Sequence, residues 1–182
     1  MPYRSVFKPG LFEDQTVVVT GGGSGIGRCT AHELASLGAT VAIAGRDADK
    51  LAAVKAEIEA DGGRVSTHVC DIRDEAQVIA MVDGVLAAHG RIDGLVNNAG
   101  GQYRQPLSKI SSKGFEAVVR LNLFGGFMVM REVYNRWMER NGGAIGMIIV
   151  LEVFEVTKRT SPRSRSMLFQ VSDTRSPSRW PV

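Results

Sequence analysis

The sequence predicts an α/β fold, a doubly wound parallel sheet with strand order 3-2-1-4-5, incomplete at its C-terminal end and followed by a disordered tail. Short β-branched or apolar runs alternate with segments of helical period. The first run, Thr16-Val17-Val18-Val19-Thr20, opens into a glycine turn, Gly21 to Gly27, and an apolar-periodic helix leaves that turn. The strands are near-continuously apolar, which indicates a sheet covered on both faces. Right-handed crossovers then set the strand order.

The elements follow in order. Met1 to Gln15 forms an irregular arm, broken by Pro2, Pro9 and Gly10. Thr16–Thr20 is the first strand. The helix from Ile26 to Leu37 places Ile26, Ala31, Leu34, Ala35 and Leu37 near one face, and Gly38 stops it. Thr40–Ala44 is the second strand, and Asp47 caps a helix over 48–61 that ends at Gly62-Gly63. Val65–Val69 is the third strand, leading to Cys70-Asp71. The third helix runs from Asp74 to His89, closed by Gly90. Ile92 to Asn97 contains the fourth strand. A loop with Pro106 follows, then one long helix over 112–140, stopped by Asn141-Gly142-Gly143. Ala144 to Leu151 reads as the fifth strand.

Composition narrows the function classes. The 182 residues suit one domain with a sizeable core, and a net charge of +3 suggests a nucleic-acid binder. The distribution argues against that partner. Residues 157–182 hold six of the 22 basic and one of the 19 acidic residues, so the first 156 carry 16 basic against 18 acidic. No apolar run approaches a membrane span, and no signal-peptide core stands at the N-terminus, so neither a membrane nor an export route is expected. Cys29 and Cys70, without metal-ligand spacing, fit reduced thiols in the cytoplasm. Cys29 is read as a small buried residue in preference to a nucleophile. His32, His68 and His89 are scattered, with no metal spacing, and are read as surface or capping residues. Phe124, Phe127 and Met130 are read as packing, and Tyr134 and Trp137 as core or interface.

The carboxyl ends of the strands collect the chemistry. A strand, a glycine turn and a helix make a phosphate site, because turn N–H groups and the helix dipole favour an anion. Gly21 permits the tight turn, Gly25 lets the backbone approach a pyrophosphate, and Gly27 lets the helix pack closely. After the second strand come Gly45 and Arg46. A guanidinium there pairs with a ribose 2′-phosphate, which favours NADP(H) over NAD(H). Arg28 is either a second phosphate contact or a solvated helix residue. Asp71 either accepts from an adenine amino group or serves as a turn residue. Asn98-Ala99-Gly100 either lies under the cofactor ribose or is a plain turn.

These residues resemble the short-chain dehydrogenase/reductase family. The matching motifs are Thr20-Gly21-x-x-x-Gly25-Ile26-Gly27, Asp71, Asn97-Asn98-Ala99-Gly100, and Asn122 in Arg120-Leu121-Asn122-Leu123, spanning about residues 12–145. Within the family, Gly100-Gly101-Gln102-Tyr103 looks most like bacterial citronellol dehydrogenases and trans-2-enoyl-CoA reductases. The resemblance implies a Rossmann-type domain over 1–156. It implies that Gly21, Ser24, Gly25, Ile26, Gly27, Arg46, Asp71, Ile72, Asn98, Ala99 and Gly100 hold the dinucleotide, and that no metal is needed. It implies a hydride transferred between NADP(H) and a carbonyl, alcohol or enoyl small molecule, usually in a homo-oligomer.

In the family, catalysis uses an Asn on the long helix, a Ser after the fifth strand and a Tyr-x-x-x-Lys on the next helix. Asn122 matches the first. Nothing matches the others: Tyr134 is followed four residues on by Met138, and no Tyr occurs later. Residues 157–182 hold five Arg, six Ser and three of the six Pro, which reads as a disordered basic tail. Either Ser161-Pro162-Arg163-Ser164-Arg165-Ser166 is a functional basic segment, or the reading frame has slipped, and the second is favoured. Turnover by this chain is expected to be impaired or absent, with a non-catalytic dinucleotide-binding remnant as the alternative.

Overall fold

The structure is a computed structural model that describes residues 5–102 and 105–148. Five parallel strands form one sheet in the order β3-β2-β1-β4-β5, with β1 Thr16–Thr20, β2 Thr40–Gly45, β3 Arg64–Val69, β4 Gly94–Asn97 and β5 Ala144–Met147. Helices α1 Gly25–Ser36, α2 Ala48–Ala60 and α3 Glu75–His89 connect the first four strands. The order is the one that the sequence predicts.

The alternation of side chains along β1 and β2 explains why both faces are covered. Val17, Val19, Val41 and Ile43 pack with Ala31 of α1 and Leu51, Val54 and Ile58 of α2. Val18, Ala42 and Ala44 pack with Val78, Met81, Val82 and Val85 of α3 and with Val129, Val133 and Met138 beyond it. A fully buried Val or Leu contributes roughly 1.5–3 kcal/mol, so these two layers dominate stability. The outermost strand departs from the expected apolar run. β3 reads Arg-Val-Ser-Thr-His-Val, is only partly covered, and leaves Val69 61% exposed. It lies at the sheet edge, where one side meets solvent and polar residues are tolerated.

Local signals set the helix ends. Asp47 accepts from the Lys50 N–H at 3.1 Å, and Asp74 accepts from Ala76 and Gln77, so the two carboxylates cap α2 and α3. Gly90, at φ +71°, closes α3 in the left-handed region.

Two expectations about the C-terminal part need correction. The single helix over 112–140 is interrupted. It consists of α4 Ser112–Val119, a π-helical stretch Arg120–Gly125, α5 Gly126–Val133, a second π stretch Tyr134–Met138, and α6 Glu139–Asn141. The first interruption ends at Gly125-Gly126, where the helix presses on the sheet. A side chain at Gly125 would come within 2.9 Å of Ile72. The fifth strand ends at Met147 instead of Leu151; Ile148 still donates its N–H to Asn97 at 3.1 Å, and 149–151 lie outside the described residues. The loop after Pro106 also contains a 3-10 turn, Leu107–Lys109. The 157–182 tail lies outside the described residues.

The long helical run is tied to α3 by charge. The largely buried Glu132 accepts from Arg131 (3.0 Å) and Arg136 (3.1 Å), and these guanidiniums pair in turn with Glu75 and Asp83 on α3. Opposite charge on both arginines outweighs burial and holds the Glu132 carboxyl below its ordinary range.

Candidate functional site

The glycine turn folds back onto the neighbouring strand. The N–H groups of Gly21 and Gly22 both donate to the Ala44 carbonyl, at 2.7 and 3.2 Å. Gly21 sits at φ +71° and Gly25 at φ +54°, a region that favours glycine. Their surroundings differ. A Cβ on Gly21 would lie 2.9 Å from the Asn98 amide nitrogen, and one on Gly27 would run into the Gly21 carbonyl and sit 2.6 Å from the same amide. A Cβ on Gly25 would meet nothing within 4 Å. Gly21 and Gly27 are therefore fixed by close packing, whereas Gly25 faces open space.

The start of α1 fits an anion. Ser24 stands at the N-cap in extended conformation, its side chain makes no cap hydrogen bond, and the first turn holds no acidic residue. Helix-start N–H groups thus await an external acceptor, and the dipole adds favourable potential. Ile26, placed on the helix's inner face by its periodicity, is 54% exposed beside this opening.

Behind the turn, one hydroxyl joins three strand-end groups. Thr20 Oγ1 accepts from the N–H of Asn98 (3.0 Å) and Ala99 (2.9 Å) and donates to Asn97 Oδ1 (3.2 Å). The Asn98 amide donates to the Thr20 carbonyl at 3.0 Å, and the Asn97 amide donates to the Gly126 carbonyl at 2.7 Å. Asn98 and Ala99 are thereby held against the glycine turn, and the helical run is drawn to the same point. Sequence reasoning leaves Thr20 and Asn97 out of the site. A fully buried Thr ending a valine run, which must find a partner, is the signal that marks them.

Asn122 lies in the first π stretch. It grips Gly101 from both sides, accepting the Gly101 N–H at 2.9 Å and donating to its carbonyl at 2.8 Å. A side chain at Gly100 would sit 2.6 Å from Asn122 Oδ1. Both bonds are made to the loop beyond β4. Ile72 is buried and packs under the long helix at Gly125.

Arg46 follows β2 at the surface, and Asp71 follows β3. The two strand ends are joined by the Cys70 N–H to the Gly45 carbonyl at 2.9 Å. The Asp71 carboxylate is gripped by Arg73 through Nε at 2.9 and 3.1 Å and through Nη2, and it accepts the Arg73 backbone N–H at 3.1 Å. These bonds, with a smaller contribution from Arg46, hold its carboxyl down at about 2. Asp71 is therefore a turn residue in this state. Asp47, next to Arg46, is occupied as a helix cap.

Several further expectations are corrected. Of the two readings of Arg28, the structure shows the exposed helix residue: its Nε pairs with Glu57 of α2 at 2.8 Å, and His32 joins the same carboxylate at 3.0 Å. Cys29 is exposed, because it lies on the face of α1 opposite the buried Gly27 and Ala31. Cys70 is buried, and burial, then Asp71 and Asp74, pushes its thiol up to about 11. His68 and His89 are not scattered, since both ring Nε2 atoms meet Ser66 Oγ, at 3.0 and 2.8 Å. Phe124 and Phe127 are half or more exposed, while Met130 and Trp137 pack against the core. Among the described residues no group of three or more His, Cys, Asp or Glu could hold a metal ion, and no helix is long and apolar enough to cross a membrane. Tyr103 lies outside the described residues.

Comparison with known proteins identifies the family. The chain is 39% identical over 137 residues to levodione reductase of Leifsonia aquatica, covering 74% of this chain and 51% of that one. It is 33% identical over 144 residues to the peroxisomal 2,4-dienoyl-CoA reductase of Danio rerio, covering 79% and 48%. It thus spans about half the length of these relatives. Among solved structures, a citronellol catabolism dehydrogenase of Pseudomonas aeruginosa PAO1 matches at 58% identity and TM-score 0.76, covering 80% of this chain and 59% of the other. A metagenomic short-chain oxidoreductase in complex with NADP matches at 39% identity and TM-score 0.70, covering 78% and 64%. An NAD+-bound xylitol dehydrogenase matches at 33% and 0.72, covering 75% and 53%. The short chain dehydrogenase family model matches residues 15–156, and the chain accordingly belongs to the short-chain dehydrogenase family of oxidoreductases.

Proposed function

We propose that this chain binds NADP(H) and supplies the cofactor half of a hydride transfer between that dinucleotide and a carbonyl, alcohol or enoyl small molecule. The observation that carries the reading is the start of α1, with an uncapped N-terminus, no acidic side chain in its first turn, and open space at Gly25. The pyrophosphate would lie against the N–H groups of Ser24, Gly25 and Ile26. The adenosine end would lie between Arg46 and the Asp71 loop, and the ribose near Asn98, Ala99 and Gly100. When bound, the nicotinamide supplies the hydride. A cation at Arg46 favours the cofactor with a 2′-phosphate. Related proteins solved with NADP and with NAD+ support a nicotinamide dinucleotide of one kind or the other. The substrate class follows the citronellol and dienoyl-CoA relatives.

Asn122 is the one family catalytic position matched in this sequence. Its part is to hold Gly101, and so to shape the loop over the ribose. We infer that the 182-residue chain by itself binds the dinucleotide without turning over substrate, because it contains no Tyr-x-x-x-Lys. That absence also favours a second reading, a dinucleotide-binding module with no catalytic role. The exposed Leu123, Phe124, Phe127 and Tyr134 favour self-association, and the unpaired cysteines favour a reducing, cytoplasmic setting.

Titration of the purified chain with NADPH, followed by calorimetry, tests the proposal. Saturable one-site binding without consumption of NADPH in the presence of citronellal or an enoyl-CoA is the expected result. No binding overturns the cofactor reading, and turnover at ordinary enzymatic rates overturns the division between binding and catalysis.

A further inference from the structure

The adenosine end of the candidate site holds one carboxylate bound to one guanidinium, with a second guanidinium on the neighbouring strand end. The β2 and β3 ends are side by side, Gly45 in register with Val69 and its carbonyl accepting the Cys70 N–H. Arg46 directly follows Gly45, and Asp71 stands one residue beyond Cys70. Asp71 has two possible cationic partners, and it is bound to Arg73. Both of its oxygens receive Arg73 Nε, at 2.9 and 3.1 Å, one also receives Nη2, and the other also receives the Arg73 backbone N–H. The loop that presents this pair is itself tied down. The Asp71 N–H donates to the Gln77 side chain at 2.9 Å, and Gln77 donates to the helix cap Asp74 at 3.0 Å. Arg46 makes no ion pair with a described residue.

We propose that Arg73 is a positioning residue for cofactor choice: by occupying the Asp71 carboxylate it keeps Arg46 available for the 2′-phosphate of NADP(H). The inference rests on the reading that Arg46 meets that phosphate. A bidentate guanidinium–carboxylate pair satisfies the acceptor sites of Asp71 and cancels its charge locally. Remove Arg73, and an uncompensated carboxylate stands beside Arg46. It then competes for the Arg46 guanidinium and repels the incoming phosphate. It can also accept a hydrogen bond from the 2′-hydroxyl of NADH. Arg73 thus acts on the ratio of the two cofactors without touching either. Arg46 draws the phosphate, and Arg73 removes its competitor.

The test measures dissociation constants of NADPH and NADH for the full chain and for Arg73→Ala, Arg73→Ala with Asp71→Asn, and Arg46→Ala. Arg73→Gln, which keeps an amide donor, replaces the alanine variant if that variant does not fold. Arg73→Ala is expected to weaken NADPH about three- to tenfold, the range of a partly exposed charge pair, and to leave NADH within about a factor of two. Adding Asp71→Asn should restore NADPH binding, because the competing charge is gone. A merely structural role would instead weaken both cofactors together, and Asp71→Asn would not rescue it; either result overturns the proposal. If Arg46→Ala lowers the NADPH preference while Arg73→Ala does not, this inference fails alone. If Arg46→Ala leaves the preference unchanged, or neither dinucleotide binds, the cofactor reading fails and the inference with it.

Discussion

Replacing Thr20 with valine removes a hydroxyl and keeps the shape of the side chain, so it isolates the junction behind the glycine turn. Thr20 is fully buried, and its oxygen accepts from Asn98 and Ala99 and donates to Asn97. In the valine variant the Ala99 N–H and the Asn97 amide oxygen lose this partner, while the Asn98 N–H keeps its bond to the Val96 carbonyl at 3.1 Å. A buried polar group left unpaired costs about 1–3 kcal/mol. The Ala99 N–H is only part-buried, so the lower end of that range applies to it, and the two groups together give about 2 kcal/mol. Against a total stability of roughly 5–15 kcal/mol for a native domain, that is a large fraction. The corresponding drop in Tm is about 4–8 °C for a chain of this size. Urea unfolding followed by far-ultraviolet circular dichroism reads it, with the slope m unchanged and the midpoint lower.

Thr20→Ser is the control. It keeps the hydroxyl and loses one methyl, a cost of about 1 kcal/mol. The order wild type, then serine, then valine is the result expected if hydrogen bonding governs this position. A valine variant as stable as the serine variant, or more so, would refute the assignment of Thr20 as the junction of β1 and β4, because packing alone predicts that order.

Gly27→Ala should lower stability by about 1–2 kcal/mol, the overpacking cost partly offset by better helix propensity, and should weaken NADPH binding in the same calorimetric titration, because the Gly21 carbonyl must move. Gly25→Ala should cost only about 1 kcal/mol of left-handed strain, since its Cβ meets open space, yet weaken NADPH at least as much. A thiol reagent at pH 8 should modify Cys29 quickly and leave Cys70 intact until the chain unfolds, since the Cys70 thiol titrates at about 11; mass spectrometry of the labelled peptides distinguishes the two. Burial lowers both His68 and His89 below the ordinary 6.5, and the charge of His89 lowers His68 further. The folded state therefore binds fewer protons than the unfolded one, and stability is full above pH 6.5 and lost as pH falls below it. Denaturation midpoints between pH 7.5 and 5 should fall, and His89→Asn should flatten that fall.

What the sequence discloses depends on how far apart the cooperating residues lie in the chain. The strand, glycine turn and helix of residues 16–36 are contiguous, so each glycine's role follows from its place in the turn, and the structure distinguishes the packed Gly21 and Gly27 from the open Gly25. Asp47 acts on a residue three positions away, and the cap is legible for that reason. The Thr20 junction joins residues 77 to 79 positions apart, and the Ser66–His89 contact spans 23. Neither exists until strand register is set, and register is a property of the whole sheet. Cys29 was misplaced for a different reason. Small size suggests burial, but a position two residues from the buried Gly27 and Ala31 points the opposite way on a helix. Phe124 and Phe127 on the long run depart similarly. A π stretch before Gly126 shifts the helical phase, so Val129 and Val133 face the core while Phe124 and Phe127 do not.

The same distinction orders the chemistry. Anion binding at the α1 start needs only backbone N–H groups and a dipole, which a contiguous turn supplies. On the proposed reading, choice between cofactors rests on charge balance among Arg46, Asp71 and Arg73, which the pairing of β2 with β3 brings to one edge. Proton transfer needs a side chain of suitable pKa at the reacting atom. Asn122 cannot serve as that acid or base, because its amide does not titrate and both of its polar atoms are committed to Gly101. Its contribution to any reaction is therefore geometric, exerted through the Gly100-Gly101 loop. On the proposed reading these residues bind and discriminate a dinucleotide, and Asn122 gives the site its shape and supplies no proton.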